Sequence, residues 1–273
     1  MHADNCSIFK RSTFTFCLLL LLFLTPSTNA IPFFEESLDP LTLQYLVYDT
    51  TGAPIQISPA SEDLPPGGII SEVIFAIFNG SDYTILPRTR PIARIKRDTY
   101  EEKLDNWITY GLRSWENDPD WGGQFLASTD ILNYEYSLVY LKGKTAPASD
   151  LTGKVISVIQ GYQYGALLGN LSNRGATILE VKSQVDAIEA LQRGRADFYL
   201  GNLPRMQYLV NNQNINNVTL MGQSLNYATP LTIMMSKDTP ETLRIFVNDR
   251  LRLLKEKNAL DAIVSYYLGS YIK

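Results

Sequence analysis

Apolar positions along this chain alternate between two periods. Residues 41–48, Leu-Thr-Leu-Gln-Tyr-Leu-Val-Tyr, are dense in apolar and aromatic side chains and read as a buried strand. A turn-rich stretch from Asp49 to Gly68 follows, carrying Pro54, Pro59, Pro65 and Pro66. Ile69, Ile70, Val73, Ile74, Ile77 and Phe78 then recur at helical spacing. Strand, loop and helix in that order open an α/β unit. The pattern returns in the middle of the chain. Val155 to Ile159 is a short β-branched run, Gln160 to Gly165 a glycine-bounded turn, and residues 165–173 can open a helix. Ile178 to Val181 reads as a strand, and Ser183 caps a helix running to Gly194 with Val185, Ile188, Ala190 and Leu191 on one face. Ala196 to Leu200 gives the next strand. These alternating elements predict a mostly parallel sheet wrapped by helices. Beyond them lie a strand at Leu231 to Met235, a long amphipathic helix at about Glu241 to Lys257 and a final helix at Leu260 to Leu268. Pro240 suits the first turn of the long helix, where a missing N–H does no harm.

The N-terminus has a different layout. Lys10 and Arg11 precede an apolar run from Phe14 to Leu24, and a polar stretch ends at Ala30. This is the pattern of a cleaved secretory signal over residues 1–30. A membrane anchor is the competing reading, but a span takes roughly 18 apolar residues, and this run has 11. Cleavage would remove both cysteines, Cys6 and Cys17, and the only histidine, His2. The exported chain would then hold no disulfide, and its length suffices for a core without one. With Asp4, Lys10 and Arg11 gone, 22 basic side chains face 27 acidic ones, and no basic stripe for nucleic acid is visible. The densest basic stretch, Arg88 to Arg97, runs straight into acidic residues, as a solvated helix face or an anion site would.

Without His and Cys, a Ser-His-Asp triad, a Cys-His dyad and a His- or Cys-ligated zinc site are unavailable. No phosphate loop or dinucleotide fingerprint is present, and no cofactor is expected. A carboxylate pair remains conceivable by residue type, with Glu72, Glu116, Asp118 and Asp120 as candidates, although solvated-loop roles suit them as well.

Four segments carry a family resemblance. Leu151-Thr-Gly-Lys-Val-Ile-Ser-Val-Ile-Gln-Gly161 is one, and Ala187 to Gly201, with its Gly194-Arg-Ala-Asp197, is another. Ser236-Lys-Asp-Thr-Pro240 and Ala262-Ile-Val-Ser-Tyr-Tyr-Leu-Gly269 complete the set. In this order they resemble the family 3 extracellular solute-binding proteins, the amino-acid-type periplasmic receptors of ABC transporters. The resemblance implies a two-lobed periplasmic-binding-protein type II fold, with mixed sheets flanked by helices and two hinge crossings. Lobe one would take residues 31–140 and 230–273, and lobe two residues 141–229, with crossings near 138–144 and 225–231. It also implies a monomer in the periplasm of a Gram-negative bacterium. That monomer would close around a small polar solute, amino-acid-like or another small carboxylate or amine, and deliver it to a membrane permease. A membrane sensor protein is the alternative partner, and no catalysis is expected.

The resemblance also suggests where ligand would sit. Tyr48 and Asp49 open the loop that lines the pocket in such receptors; Gly52 stands where many have a stacking aromatic, so Tyr48 is the candidate to replace it. The usual Thr-x-x-Arg is missing, and Arg113 is the only arginine between residues 109 and 130. Asn202 stands where an ammonium-binding Asp is common. From the residues themselves, Gly161 lets a ligand approach the backbone, Tyr162 and Tyr164 offer apolar faces with hydroxyl handles or simply cover the sheet edge, and Gln163 is a further pocket candidate. Arg113 and Arg94 could fork a carboxylate or phosphate, or sit in surface ion pairs. Trp115 and Trp121 are candidates for the cleft wall.

Overall fold

β1 (Thr42–Tyr48) is a central strand, which is why its side chains are apolar on both faces. It pairs in parallel with β2 (Thr84–Arg90) on one side and β3 (Trp107–Leu112) on the other. The computed structural model describes residues 41–49, 52–61, 63–117, 125–213 and 215–269. The predicted signal, residues 1–30, lies outside these. α1 (Ile69–Phe78) buries Ile69, Ile70, Val73, Ile74 and Ile77 completely; each such side chain contributes roughly 1.5–3 kcal/mol. Gly68 precedes it at φ +91°, and a Cβ there would lie 2.8 Å from the Pro54 carbonyl oxygen, so only glycine fits. α2 (Ile92–Tyr100) follows β2, so the basic stretch is half strand and half helix. Arg90 and Arg97 both donate to Asp98, whose carboxylate is buried.

The second half matches its periodicity closely. β6 (Val155–Ile159) is flanked in parallel by β7 (Thr177–Val181) and β8 (Phe198–Gly201). Between them run α3 (Ala166–Asn173) and α4 (Gln184–Gln192), and the Ser183 side chain accepts from the Asp186 N–H as the N-cap. The Gly-Arg-Ala-Asp segment has a structural use: the Asp197 carboxylate accepts from the Val155 N–H at 2.9 Å and from Lys154 at 3.1 Å, tying the start of β8 to the start of β6. α5 (Leu203–Asn212) follows β8 directly.

One mixed sheet runs in the order β2-β1-β3-β9-β5-β8-β6-β7. Its two antiparallel members, β5 (Leu132–Leu141) and β9 (Leu220–Ser236), link the parallel sets, and β4 (Phe125–Ala127) pairs with β9. β9 joins β3 through residues 231–235 and β5 through 220–231. The β5–β9 register shifts at Tyr136/Ser137, opposite Tyr227 and Ser224. This leaves Leu225 and Asn226 as a bulge with Asn226 at φ +52°. Periodicity reveals only the apolar end of β9, because residues 221–228 are mostly polar or exposed. The parallel pairs are thus confined to the two wings, and antiparallel pairs make the middle. α6 (Glu241–Glu256) and α7 (Ala259–Leu268) pack with α1, and Pro240 is the N-cap of α6 rather than part of its first turn. No helix among the described residues is long and apolar enough to cross a membrane.

Candidate functional site

A cavity of about 70 Å³ lies beyond the carboxyl ends of β1, β3 and β6, the position where open α/β sheets gather ligand-facing loops. A water needs roughly 10–15 Å³ of such space, so this one has room for a handful of waters or a small organic molecule.

Its walls come from segments far apart in sequence. Tyr48 closes β1, and Tyr110 and Leu112 end β3. Tyr48 donates to the Tyr110 carbonyl at 2.6 Å, and the two rings lie 4.9 Å apart. Gln56 holds the loop after β1 in place: its Oε1 accepts from the Tyr48 N–H at 2.9 Å, and its Nε2 donates to the Tyr45 hydroxyl at 2.8 Å. Burial raises the Tyr48 phenol well above its usual pKa, so it stays a neutral donor. A Cβ on Gly52 would lie 2.9 Å from the Gln56 carbonyl oxygen and 3.2 Å from the Tyr110 hydroxyl, which leaves no room for an aromatic ring there. Tyr48 and Tyr110 form the wall instead.

Gly161, Tyr162 and Gln163 line the opposite side. Gly161 takes φ +78°, and its missing Cβ faces open space. Tyr164 turns inward from the same loop, where its buried hydroxyl accepts from the Ile159 N–H at 2.8 Å. Tyr134 and Tyr136 on β5 continue the aromatic wall, their rings 5.1 Å apart. Trp115 lines the cavity from the 3-10 turn at Arg113–Asn117, and Lys96 from α2. Trp121, Asp118 and Asp120 lie outside the described residues.

Arg205 is the group that inspection of the sequence missed. It is 6% exposed, on the first turn of α5, and lines the cavity. Its Nε donates to the Ala53 carbonyl at 3.0 Å, and it hydrogen-bonds the Tyr134 and Tyr162 phenols. Burial disfavours its charge, but the phenols of Tyr162, Tyr134, Tyr199 and Tyr110 outweigh that and raise its pKa further. Burial would raise the Tyr162 phenol too; the Arg205 charge and hydrogen bonds from Gln184 and Arg205 instead hold it below the usual value. An Arg directly after a Pro at a helix start was the available signal, since a cation there opposes the helix dipole.

Three residues predicted for the site are elsewhere. Asp49 is exposed, and its N–H donates to the Arg90 carbonyl. Arg113 donates to Asp130 at 2.7 Å and to the Ser128 carbonyl at 2.6 Å, outside the cavity wall. Asn202 is the N-cap of α5: its Oδ1 accepts from the Arg205 N–H at 3.0 Å and its Nδ2 donates to the Glu135 carbonyl at 3.0 Å. Both ends of the amide serve the backbone, and this places Arg205. Arg94 is exposed on α2. Among the described residues no group of three or more His, Cys, Asp or Glu could hold a metal ion.

No protein-family description and no curated protein sequence matches the chain. Solved structures do. One comes from work on glutathione import in Gram-positive bacteria via GshT and the cystine ABC importer TcyBC of Streptococcus mutans. It matches with a TM-score of 0.68 at 19% identity, over 84% of this chain and 95% of that one. The ligand-binding core of GluR0 from Nostoc punctiforme, in complex with L-glutamate, matches at 0.60 and 18% over 84% and 99%. A histidine kinase sensor domain with similarity to periplasmic binding proteins matches at 0.64 and 15% over 84% and 96%. The chain therefore has the two-lobed periplasmic-binding-protein type II fold, a mixed sheet flanked by helices with two chain crossings.

Proposed function

We propose that this protein captures a small polar solute in the cavity by closing two lobes around it, without chemistry on the solute. Lobe one comprises residues 31–140 and 230–273, and lobe two residues 141–229. β5 and β9 carry the two crossings, near residues 138–144 and 225–231, and the bulge at Leu225–Asn226 opposite Tyr136/Ser137 adjoins them as a place to bend. The carrying observation is that residues of both lobes wall one cavity, joined by the hydrogen bond from Arg205 of lobe two to the Ala53 carbonyl of lobe one. A solute bridging them adds contacts that an open form lacks and so shifts the population toward closure.

Delivery to an ABC-type permease is favoured by the likeness to the structure from work on glutathione import and the cystine ABC importer; export to the periplasm rests on the N-terminal pattern and a monomer on the family resemblance. The likeness to a histidine kinase sensor domain favours a second reading, in which closure reports occupancy to a separate membrane signalling protein. The test is a thermal-shift panel of amino acids, carboxylates, amines, sugars and short peptides on the purified protein. A solute at about 100 times its Kd adds roughly 2.7 kcal/mol, a rise of about 5–10 °C for a chain of this size. The same solute should contract the protein in small-angle scattering. A flat panel from folded protein counts against solute binding. Loss of uptake of the identified solute on gene deletion supports transport; unchanged uptake supports sensing.

A further inference from the structure

We infer that the start of α5 is a latch that holds the lobes closed through contacts of the chain itself, so that much of the protein is closed before solute arrives. This rests on the two-lobe capture reading above. α5 belongs to lobe two and meets lobe one at two places. The Arg205 Nε donates to the Ala53 carbonyl at 3.0 Å, and α5 packs against α7. Ala53 itself packs on the apolar cluster of Ile188, Met206 and Leu209 in lobe two. Arg205 also hydrogen-bonds the phenol of Tyr134, on β5 in lobe one, and that of Tyr162 in lobe two. None of these contacts needs a solute to complete it.

Both halves of the latch are fixed within their own lobes. In lobe one, the Pro54 and Ile55 carbonyls accept from the Ile69 and Ile70 N–H groups at 2.9 and 2.8 Å. The Gly68 N–H donates to the Tyr267 hydroxyl of α7 at 3.2 Å, so the loop carrying Ala53, the start of α1 and α7 form one body. In lobe two, Asn202 caps α5 and holds the Arg205 backbone at 3.0 Å. Little side-chain or loop freedom is therefore left to lose when the lobes meet. Closure buries a guanidinium, to 6% exposure, and this is costly unless its N–H groups are bonded. The Ala53 carbonyl and the two phenols supply charge-assisted bonds shielded from water. With the carbonyl bond the buried cation is compensated; without it, closure strands a charge. The latch also limits what solute can add, because a form already populated can be enriched only a little further.

The experiment is small-angle X-ray scattering of the purified protein and its variants without solute, each curve fitted as a mixture of open and closed forms. The parent should scatter mainly as the closed arrangement. Arg205→Lys keeps a cation but loses the Nε donor to Ala53, and should lower the closed-to-open ratio about tenfold or more. Arg205→Ala leaves the Ala53 carbonyl unbonded and a void at the contact, and should lower the ratio as well. Arg113→Gln, whose partner Asp130 lies in the same lobe, should scatter as the parent does. Cooperative urea unfolding of each variant separates opening from loss of the fold. A parent that is mainly open without solute overturns the inference, whatever the variants do. Folded Arg205 variants as closed as the parent overturn it too, and if neither variant folds the parent's curve decides. A solute from the thermal-shift panel that contracts the parent as much as it contracts Arg205→Lys refutes the latch and leaves capture standing. Opening of both variants, with nothing in the panel binding, keeps the latch and removes capture.

Discussion

Asn202→Ala separates a helix cap from a ligand group. Asn202 is 9% exposed, and its side chain makes two backbone hydrogen bonds at 3.0 Å, one to each end of the amide. Loss of the cap costs about 1 kcal/mol. Loss of the partner of the Glu135 carbonyl costs about 1 kcal/mol more. The total of about 2 kcal/mol lowers the melting temperature by roughly 4–8 °C for a chain of this size. The effect is expected in ligand-free protein, because the backbone makes both contacts without solute. Asn202→Asp keeps the acceptor for the Arg205 N–H and loses the donor to Glu135, so it should fall about halfway. The assay is circular-dichroism melting of the three proteins without solute, supported by urea midpoints. If Asn202→Ala melts within about 1 °C of the parent while solute binding disappears, the capping argument is wrong and Asn202 is a ligand group.

Other perturbations test the surroundings. Gly111→Ala places a Cβ 2.1 Å from the Met234 sulfur and 2.7 Å from the Trp115 ring, so it should cost about 1–3 kcal/mol in urea unfolding and disturb Trp115 fluorescence; unchanged emission and midpoint would contradict the close packing. Asp98→Ala strips a buried carboxylate from Arg90 at 3.0 Å and Arg97 at 3.1 Å, and should destabilise by about 1–3 kcal/mol; an unchanged urea midpoint would show the pairing to be worth nothing. Burial, opposed by hydrogen bonds to Ser71 and Gln56, pushes the Tyr45 phenol up to about 12 from 10.0. Between these values the unfolded chain has lost the proton and the folded one keeps it. This stability is therefore whole below pH 10 and declines toward pH 12, by about 3 kcal/mol from Tyr45 alone. Tyr48, Tyr110, Tyr136 and Tyr199 act in the same direction, and Tyr162, held below its usual value, opposes them. Urea midpoints should fall across this range and fall less in Tyr45→Phe; a level profile would refute the burial argument.

Elements whose identity rests on neighbours in the chain were legible in the sequence. α1 occupies the predicted residues because its apolar face repeats every three to four positions, β6 because five β-branched or small residues sit between two turns, and α4 because Ser183 caps it. Gly161, Tyr162 and Gln163 reach the cavity because a glycine-bounded turn at a strand end has few other places to go. The rest depends on contacts across the fold. The polar half of β9 is a strand only because β5 supplies its hydrogen bonds, and no local period encodes that. Tyr110, Tyr134, Tyr136 and Arg205 meet only after β3, β5 and α5 are assembled. Asn202 carried the right residue type for a ligand group, but tertiary structure gave its amide to the Glu135 carbonyl, 67 residues away, and to the helix it caps. Sequence alone determined the elements whose signal is local, such as α1, β6 and α4, because periodicity, turns and caps act over a few residues. Which of the described side chains line the cavity was decided by packing, because that depends on which of them burial brings to one point.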